Sequence, residues 1–185
     1  MPLSRPSRKP RAFLGEADLY EYAVKALGRR MRTELELRRL MAARAEPGQR
    51  GETAVRAAMT RLKEHGYLDD RSYAETYVRL RQENEKLGAR RVRQKLREKG
   101  VPGRIAEAAV EARYGGANEE ALAREHLERK RIAKPTNEKE TARVMRRLLA
   151  AGFSTGTIYK VLRKWDVPDE ELAALEELDG EAHEE

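Results

Sequence analysis

Apolar positions recur along the chain at three- and four-residue spacing, interrupted every ten to sixteen residues by glycine or proline. Leu19, Tyr22, Ala23, Ala26 and Leu27 form one such stripe, the period of a helix with one buried face. Leu37 and Leu40 mark a short second helix, and Thr33-Glu34-Leu35-Glu36 before it has the spacing of a capping box. Pro47-Gly48 through Gly51 breaks it, and Val55, Ala58, Met59 and Leu62 carry a third stripe as far as Gly66. After Tyr67-Leu68-Asp69-Asp70, either Asp70 or Ser72 can cap a helix that turns Tyr73, Ala74, Tyr77 and Val78 inward and runs towards Leu87. Gly88 ends it. Val92 and Leu96 are the sole apolar anchors of an Arg-rich helix over 89–99, and Gly100 stops it. Ile105, Ala108, Ala109 and Ala112 predict the next helix; Leu122 and Leu127 a thin one; Val144, Met145, Leu148 and Leu149 a strong one ending at Gly152. Ile158, Val161, Leu162 and Trp165 share the face of the last, which Pro168 ends.

The succession repeats. Val92, Leu96 and Gly100 recur as Val144, Leu148 and Gly152, and the next helices align with Ala109 on Val161 and Arg113 on Trp165. An earlier copy shows in Glu34 to Leu40. The expectation is an all-α chain of three tandem three-helix repeats, 16–66, 67–116 and 117–168, flanked by a basic arm over 1–15 and an acidic tail over 169–185. A unit of about 50 residues buries too little surface to be stable by itself. Stacking in an elongated, curved array is therefore expected.

Composition narrows the class. There is no cysteine, so no disulfide, catalytic thiol or thiolate metal site. No apolar run is long enough to span a membrane, and the basic start lacks the apolar core of a secretory signal. A cytoplasmic protein is expected. Charge is segregated: residues 1–11 hold four basic groups and no acidic one, whereas residues 169–185 hold nine acidic groups and no lysine or arginine. The body between them is strongly basic, which points to a polyanion or an acidic protein surface as partner.

No catalytic set assembles. His65, His126 and His183 are far apart with no metal-ligand spacing, and no phosphate-binding glycine loop is present. No cofactor, no metal and no enzymatic activity are expected. The residues suited to a partner are basic: Arg38 and Arg39; Arg90, Arg91, Arg93, Lys95, Arg97 and Lys99; Arg146 and Arg147. Arginine's planar fork fits phosphate and carboxylate. Stacked repeats would line these cations into a stripe; an ordinary solvated face is the alternative. Asp69 and Asp70 are read as helix-capping carboxylates, and Tyr67 and Tyr73 as packed between units.

Four stretches together resemble the RecX family of bacterial modulators of the recombinase RecA. They are Arg32 to Leu40; Leu62 to Arg79, containing Gly66-Tyr67-Leu68-Asp69-Asp70 and Tyr73-Ala74; Gly88 to Val101; and Ala151 to Ile158. The resemblance covers roughly 17–166, and the Gly-Tyr-Leu-Asp-Asp stretch is its most specific part. It implies three tandem three-helix units without enzymatic activity, binding in the groove of a RecA filament on DNA. It also implies inhibition of RecA's ATP hydrolysis, strand exchange and co-protease activity, and restraint of the SOS response. Ala45–Gly51 is longer than the family's usual turn, and the two tails have no counterpart. A monomer touching single- or double-stranded DNA weakly through phosphates fits this reading. A helical protein that binds DNA directly, indifferent to sequence, is the alternative: the exposed faces carry Arg, Lys and Glu, which position a backbone but do not read bases.

Overall fold

The computed structural model describes residues 12–168; the basic arm up to residue 11 and the acidic tail over 169–185 lie outside them. Among the described residues there are nine α-helices, one π-helical turn and no strand. The helices are α1 (Glu16–Leu27), α2 (Glu34–Ala42), α3 (Gln49–Glu64), α4 (Asp70–Leu80), α5 (Ala89–Glu98), α6 (Gly103–Tyr114), α7 (Glu119–Arg129), α8 (Glu138–Ala151) and α9 (Thr155–Arg163), with the π turn over Arg81–Glu85.

The chain forms two compact units, one through Asp69 and one from Asp70 onward. In the first, α3 packs on both α1 and α2, and Leu19, Leu37, Met41, Ala58 and Leu62 are wholly buried. Thr33 caps α2 as its spacing predicts: its hydroxyl accepts from the Glu36 N–H at 3.1 Å while the Glu36 carboxylate accepts from the Thr33 N–H at 3.4 Å. The glycine-rich break is shorter than expected. Helix α3 already starts at Gln49, and Gly51 sits in its first turn because a Cβ there would strike the Glu46 backbone.

The second unit holds two cores. One gathers Tyr73, Ala74, Val78, Val92, Leu96, Ala106 and Val110 from α4, α5 and α6; the other gathers Leu127, Val144, Leu148, Phe153, Ile158, Val161 and Leu162 around α7, α8 and α9. Leu87 and Tyr114 pack against both. Asn118, Asn137 and Ser154 cap α7, α8 and α9, each accepting a backbone N–H. Glu119 reaches the last of these caps and accepts from the hydroxyls of Ser154 and Thr157 at 2.7 and 2.5 Å.

A shared ending underlies the repeat. In α3, α5, α7, α8 and α9 a leucine carbonyl near the last turn accepts the N–H five residues on: Tyr67 to Leu62, Val101 to Leu96, Ile132 to Leu127, Phe153 to Leu148 and Val167 to Leu162. The residue between is left-handed, namely Gly66, Gly100, Arg131, Gly152 and Asp166. This is the Schellman closure, which satisfies orphan carbonyls and folds an apolar residue back onto the helix.

Four expectations are corrected. Helix α4 does not run to Leu87: it ends at Leu80 and widens into the π turn, where Gln82 and Glu83 both accept from Arg113 of α6, at 2.5 and 2.9 Å. It begins at Asp70, so Asp70 and Ser72 both lie within its first turn and not ahead of it. Tyr67 is 48% exposed and meets Tyr20 edge-on within the first unit, whereas Tyr73 is buried and stacked on Tyr77 within the second. Trp165 only lies against the last core, whose largest fully buried side chain is Phe153.

Candidate nucleic-acid interface

Two glycines build the site. The Gly88 N–H donates to the Ala151 carbonyl at 2.9 Å, so the end of α8 abuts the start of α5. The approach leaves no room for a Cβ on either side: on Gly88 it would strike the Gly152 carbonyl, on Gly152 the backbone of Arg91. Gly152 also has φ 93°, a left-handed conformation that glycine adopts without penalty. The contact sets Arg91 and Lys95 of α5 across from Arg147 of α8.

The result is a cleft of about 590 Å³ whose walls include Arg81, Arg91, Lys95, Lys130 and Arg147, with His126 and Glu85. A second concavity of about 340 Å³ shares Lys130, Ile132 and Arg147 with it and adds Arg131, Lys134 and Arg143, with Glu140. The two adjoin at these shared residues and are together termed the trough. Its two carboxylates are already engaged. Glu85 pairs with Arg81, and Glu140 accepts from the Thr136 N–H and hydroxyl, both at 2.9 Å. Those bonds from Thr136 hold the Glu140 carboxyl below its ordinary pKa. Lys130, Arg131, Arg143 and Arg147 form no ion pair among the described residues. Concentrated like charge in a concavity raises the local potential and draws in anions.

The ten cations singled out from sequence divide sharply. Arg91, Lys95 and Arg147 meet in the trough. Arg93 and Arg97 do not: they turn to α6 and share Glu107, each at 2.6 Å. Lys99 lies 5.8 Å from the centre of the Tyr77 ring. Arg90 and Arg146 are exposed on α5 and α8, and Arg38 and Arg39 are exposed on α2 in the first unit. Lys95 is partly compensated by Glu98 at 2.8 Å, a hydrogen bond that lowers the pKa of that carboxyl. Of the motif residues, Gly66 closes α3, Leu68 is buried, and Asp69 and Asp70 stand at the start of α4, with Asp70 buried.

Sequence reasoning passed over Arg81, Lys130, Arg131, Lys134 and Arg143. The signal for three of them was the basic run Arg129-Lys130-Arg131 followed by Lys134; Arg81 and Arg143 had none, because only the π turn and the α8 register aim them at the trough.

His126 closes the floor. It is 5% exposed, its ring meets Phe153 edge-on, and its Nδ1 lies 3.1 Å from the Glu85 carbonyl, a pure acceptor to which it donates. Burial, with the Lys130 charge beside it, pulls its pKa below the ordinary value, against the opposing pull of a backbone hydrogen bond at Lys86. Glu119 balances differently. Burial pushes its carboxyl up, but the Thr157 and Ser154 hydrogen bonds and the Arg90 charge together bring it below the usual range. Among the described residues no cluster of His, Asp or Glu could hold a metal ion, and no helix is long and apolar enough to cross a membrane.

The described chain is thus all-α, built of three-helix groups, with a basic trough on its second unit. Comparison places it more narrowly. Residues 69–110 match the family model for RecX, second three-helix domain. The chain is 36% identical over 151 residues to a regulatory protein RecX of Thermus thermophilus, covering 81% of this chain and 92% of that one. It is 31% identical over 153 residues to regulatory protein RecX of Mycolicibacterium vanbaalenii, covering 81% and 80%. The crystal structure of RecX from Lactobacillus salivarius superposes with a TM-score of 0.66 at 21% identity, over 82% of this chain and 96% of that one, a likeness of fold. The chain belongs to the RecX family of regulatory proteins.

Proposed function

We infer that this protein regulates the RecA recombinase by docking on its nucleoprotein filament, and that the trough between α5 and α8 makes the anionic contacts. The observation that carries this reading is the convergence of Arg81, Arg91, Lys95, Lys130 and Arg147 on one cleft whose sole carboxylate, Glu85, is taken by Arg81. A filament presents DNA phosphates and acidic protein surface together, and arginines complement both. The direction in this reading is inhibition of RecA's ATP hydrolysis, strand exchange and co-protease activity in the cytoplasm, by a non-enzymatic monomer; membership of a family of regulatory proteins supports it. Arg93 and Arg97 contribute less than their position on α5 suggests, because Glu107 already holds both.

The test is RecA ATP hydrolysis on single-stranded DNA, titrated with the parent chain and two variants. Replacing Arg91, Lys95, Lys130 and Arg147 by Ala is expected to raise the concentration for half-inhibition at least tenfold. Replacing Arg93 and Arg97 by Ala is expected to raise it less than threefold. Equal losses in the two variants would refute the trough. No inhibition by the parent, with tight binding to naked DNA, would replace this reading by direct DNA binding.

A further inference from the structure

The trough has a complement within the chain itself. Residues 169–185 carry nine acidic side chains and no lysine or arginine. The described chain ends beside the trough's rim. Val167 is buried, its N–H held by the Leu162 carbonyl at 3.3 Å. Asp166 takes a left-handed conformation, φ 56°, and its carboxylate receives Lys134 Nζ at 2.8 Å. That hydrogen bond lowers the pKa of Asp166. Lys134 is itself part of the trough wall. The chain thus leaves the described fold two residues after an acidic side chain already seated on the trough's lip. The lysines and arginines next along the wall, Lys130, Arg143 and Arg147, have no ion-pair partner among the described residues.

We propose that segment 169–185 docks along this wall in cis, its carboxylates occupying the positions that phosphates take, so that it competes with nucleic acid for the trough. Competition rests on the reading of the trough as a nucleic-acid surface; the cis contact does not. The segment spans up to about 56 Å when extended, ample for a surface that begins at Lys134. Tethering holds its carboxylates at an effective concentration in the millimolar range, so even a weak contact is substantially populated. The contact is ionic and exposed, so it yields to a denser polyanion and to salt. The protein would then hold naked DNA loosely and give up its tail only where phosphates are closely arrayed.

Two measurements on the full chain test this, using the parent and a variant with Asn or Gln at all nine acidic positions of 169–185. The first is NMR, following backbone amides and arginine Nε–H groups. Neutralising the tail is expected to shift the signals of Lys130, Lys134, Arg143 and Arg147 and to leave those of α2 unmoved. The second is fluorescence anisotropy with a labelled 30-mer of thymidylate at about 50 mM salt. Neutralisation is expected to tighten binding on the order of three- to tenfold, with the gap closing near 500 mM as screening shortens to a few ångströms. In a background carrying Lys130→Ala, Arg143→Ala and Arg147→Ala, neutralisation is expected to change affinity less than twofold. A gain that persists there would be a long-range field of the whole molecule and would overturn the proposal. Unmoved trough signals would overturn it too, whatever the DNA result. Shifted signals with no oligonucleotide binding by either chain would uphold the cis contact and sink the nucleic-acid reading together with the competition.

Discussion

Single residues decide whether the trough exists. Gly88 and Gly152 touch backbone to backbone, so alanine at either has nowhere to place its Cβ. Gly88→Ala and Gly152→Ala are each expected to cost about 2–4 kcal/mol in urea unfolding, the range of backbone strain and overpacking. Gly116→Ala, where a Cβ would meet open space, should stay within about 0.5 kcal/mol. His126 adds a pH dependence. Its folded pKa is lowered by burial, so the unfolded chain binds the proton more readily. Stability from this group is complete above about 6.5, the ordinary histidine value, and is lost as pH falls towards the folded pKa. Urea midpoints are expected to drop from pH 7.5 to pH 5.5, and His126→Gln, which keeps a donor for the Glu85 carbonyl, should flatten that drop relative to the parent. From sequence His126 was one of three scattered histidines. Its burial comes from the π turn and Phe153, partners 41 and 27 positions away in the chain.

At the scale of elements, helix faces were legible and helix ends partly so. The stripes at Val92/Leu96, Val144/Leu148 and Ile158/Val161/Leu162 are all buried, because a 3.6-residue period leaves one face for the core. The π turn over Arg81–Glu85 was not legible: the window from Leu80 to Leu87 is almost wholly polar, and its widening answers to Arg113, a side chain on α6. The apolar stripe puts Trp165 on the inward face of the last helix; packing leaves it only partly buried, and the largest fully buried side chain of that core is Phe153, the apolar residue folded back by the Schellman closure of α8. Phe153→Ala is expected to cost about 3–5 kcal/mol, and Trp165→Ala about half that or less, as calorimetry or urea melts will show. A smaller loss at Phe153 than at Trp165 would contradict the core described for α7, α8 and α9. The ion pairs of Arg93 and Arg97 with Glu107 are partly exposed, so Glu107→Gln should change stability by no more than about 1 kcal/mol. The same change releases two guanidiniums, and affinity for single-stranded DNA is expected to rise in a filter-binding assay.

For the whole molecule, the expected signature is electrostatic. If phosphates are held by Arg91, Lys95, Lys130 and Arg147, binding to a single-stranded filament weakens with salt, and each contact contributes about 0.7 to the slope of log affinity against log salt. Removing all four should lower that slope by up to about 3, and a parent slope near zero would rule out phosphate contacts. Sequence alone determined the helical class, the repeated Leu-x3-Gly ending, the capping residue Thr33, and the segregation of basic body from acidic tail, since these depend on neighbours within a turn or on composition. It did not determine which cations act together. Arg91 and Arg93 stand two residues apart on one helix, yet one faces the trough and the other is held by Glu107. That division is set by where α6 and α8 lie against α5, through the Gly88–Gly152 contact. Charge is a property of the chain, but whether a charge is cancelled or left for a partner depends on distances between elements remote in sequence, and those only the tertiary structure decides.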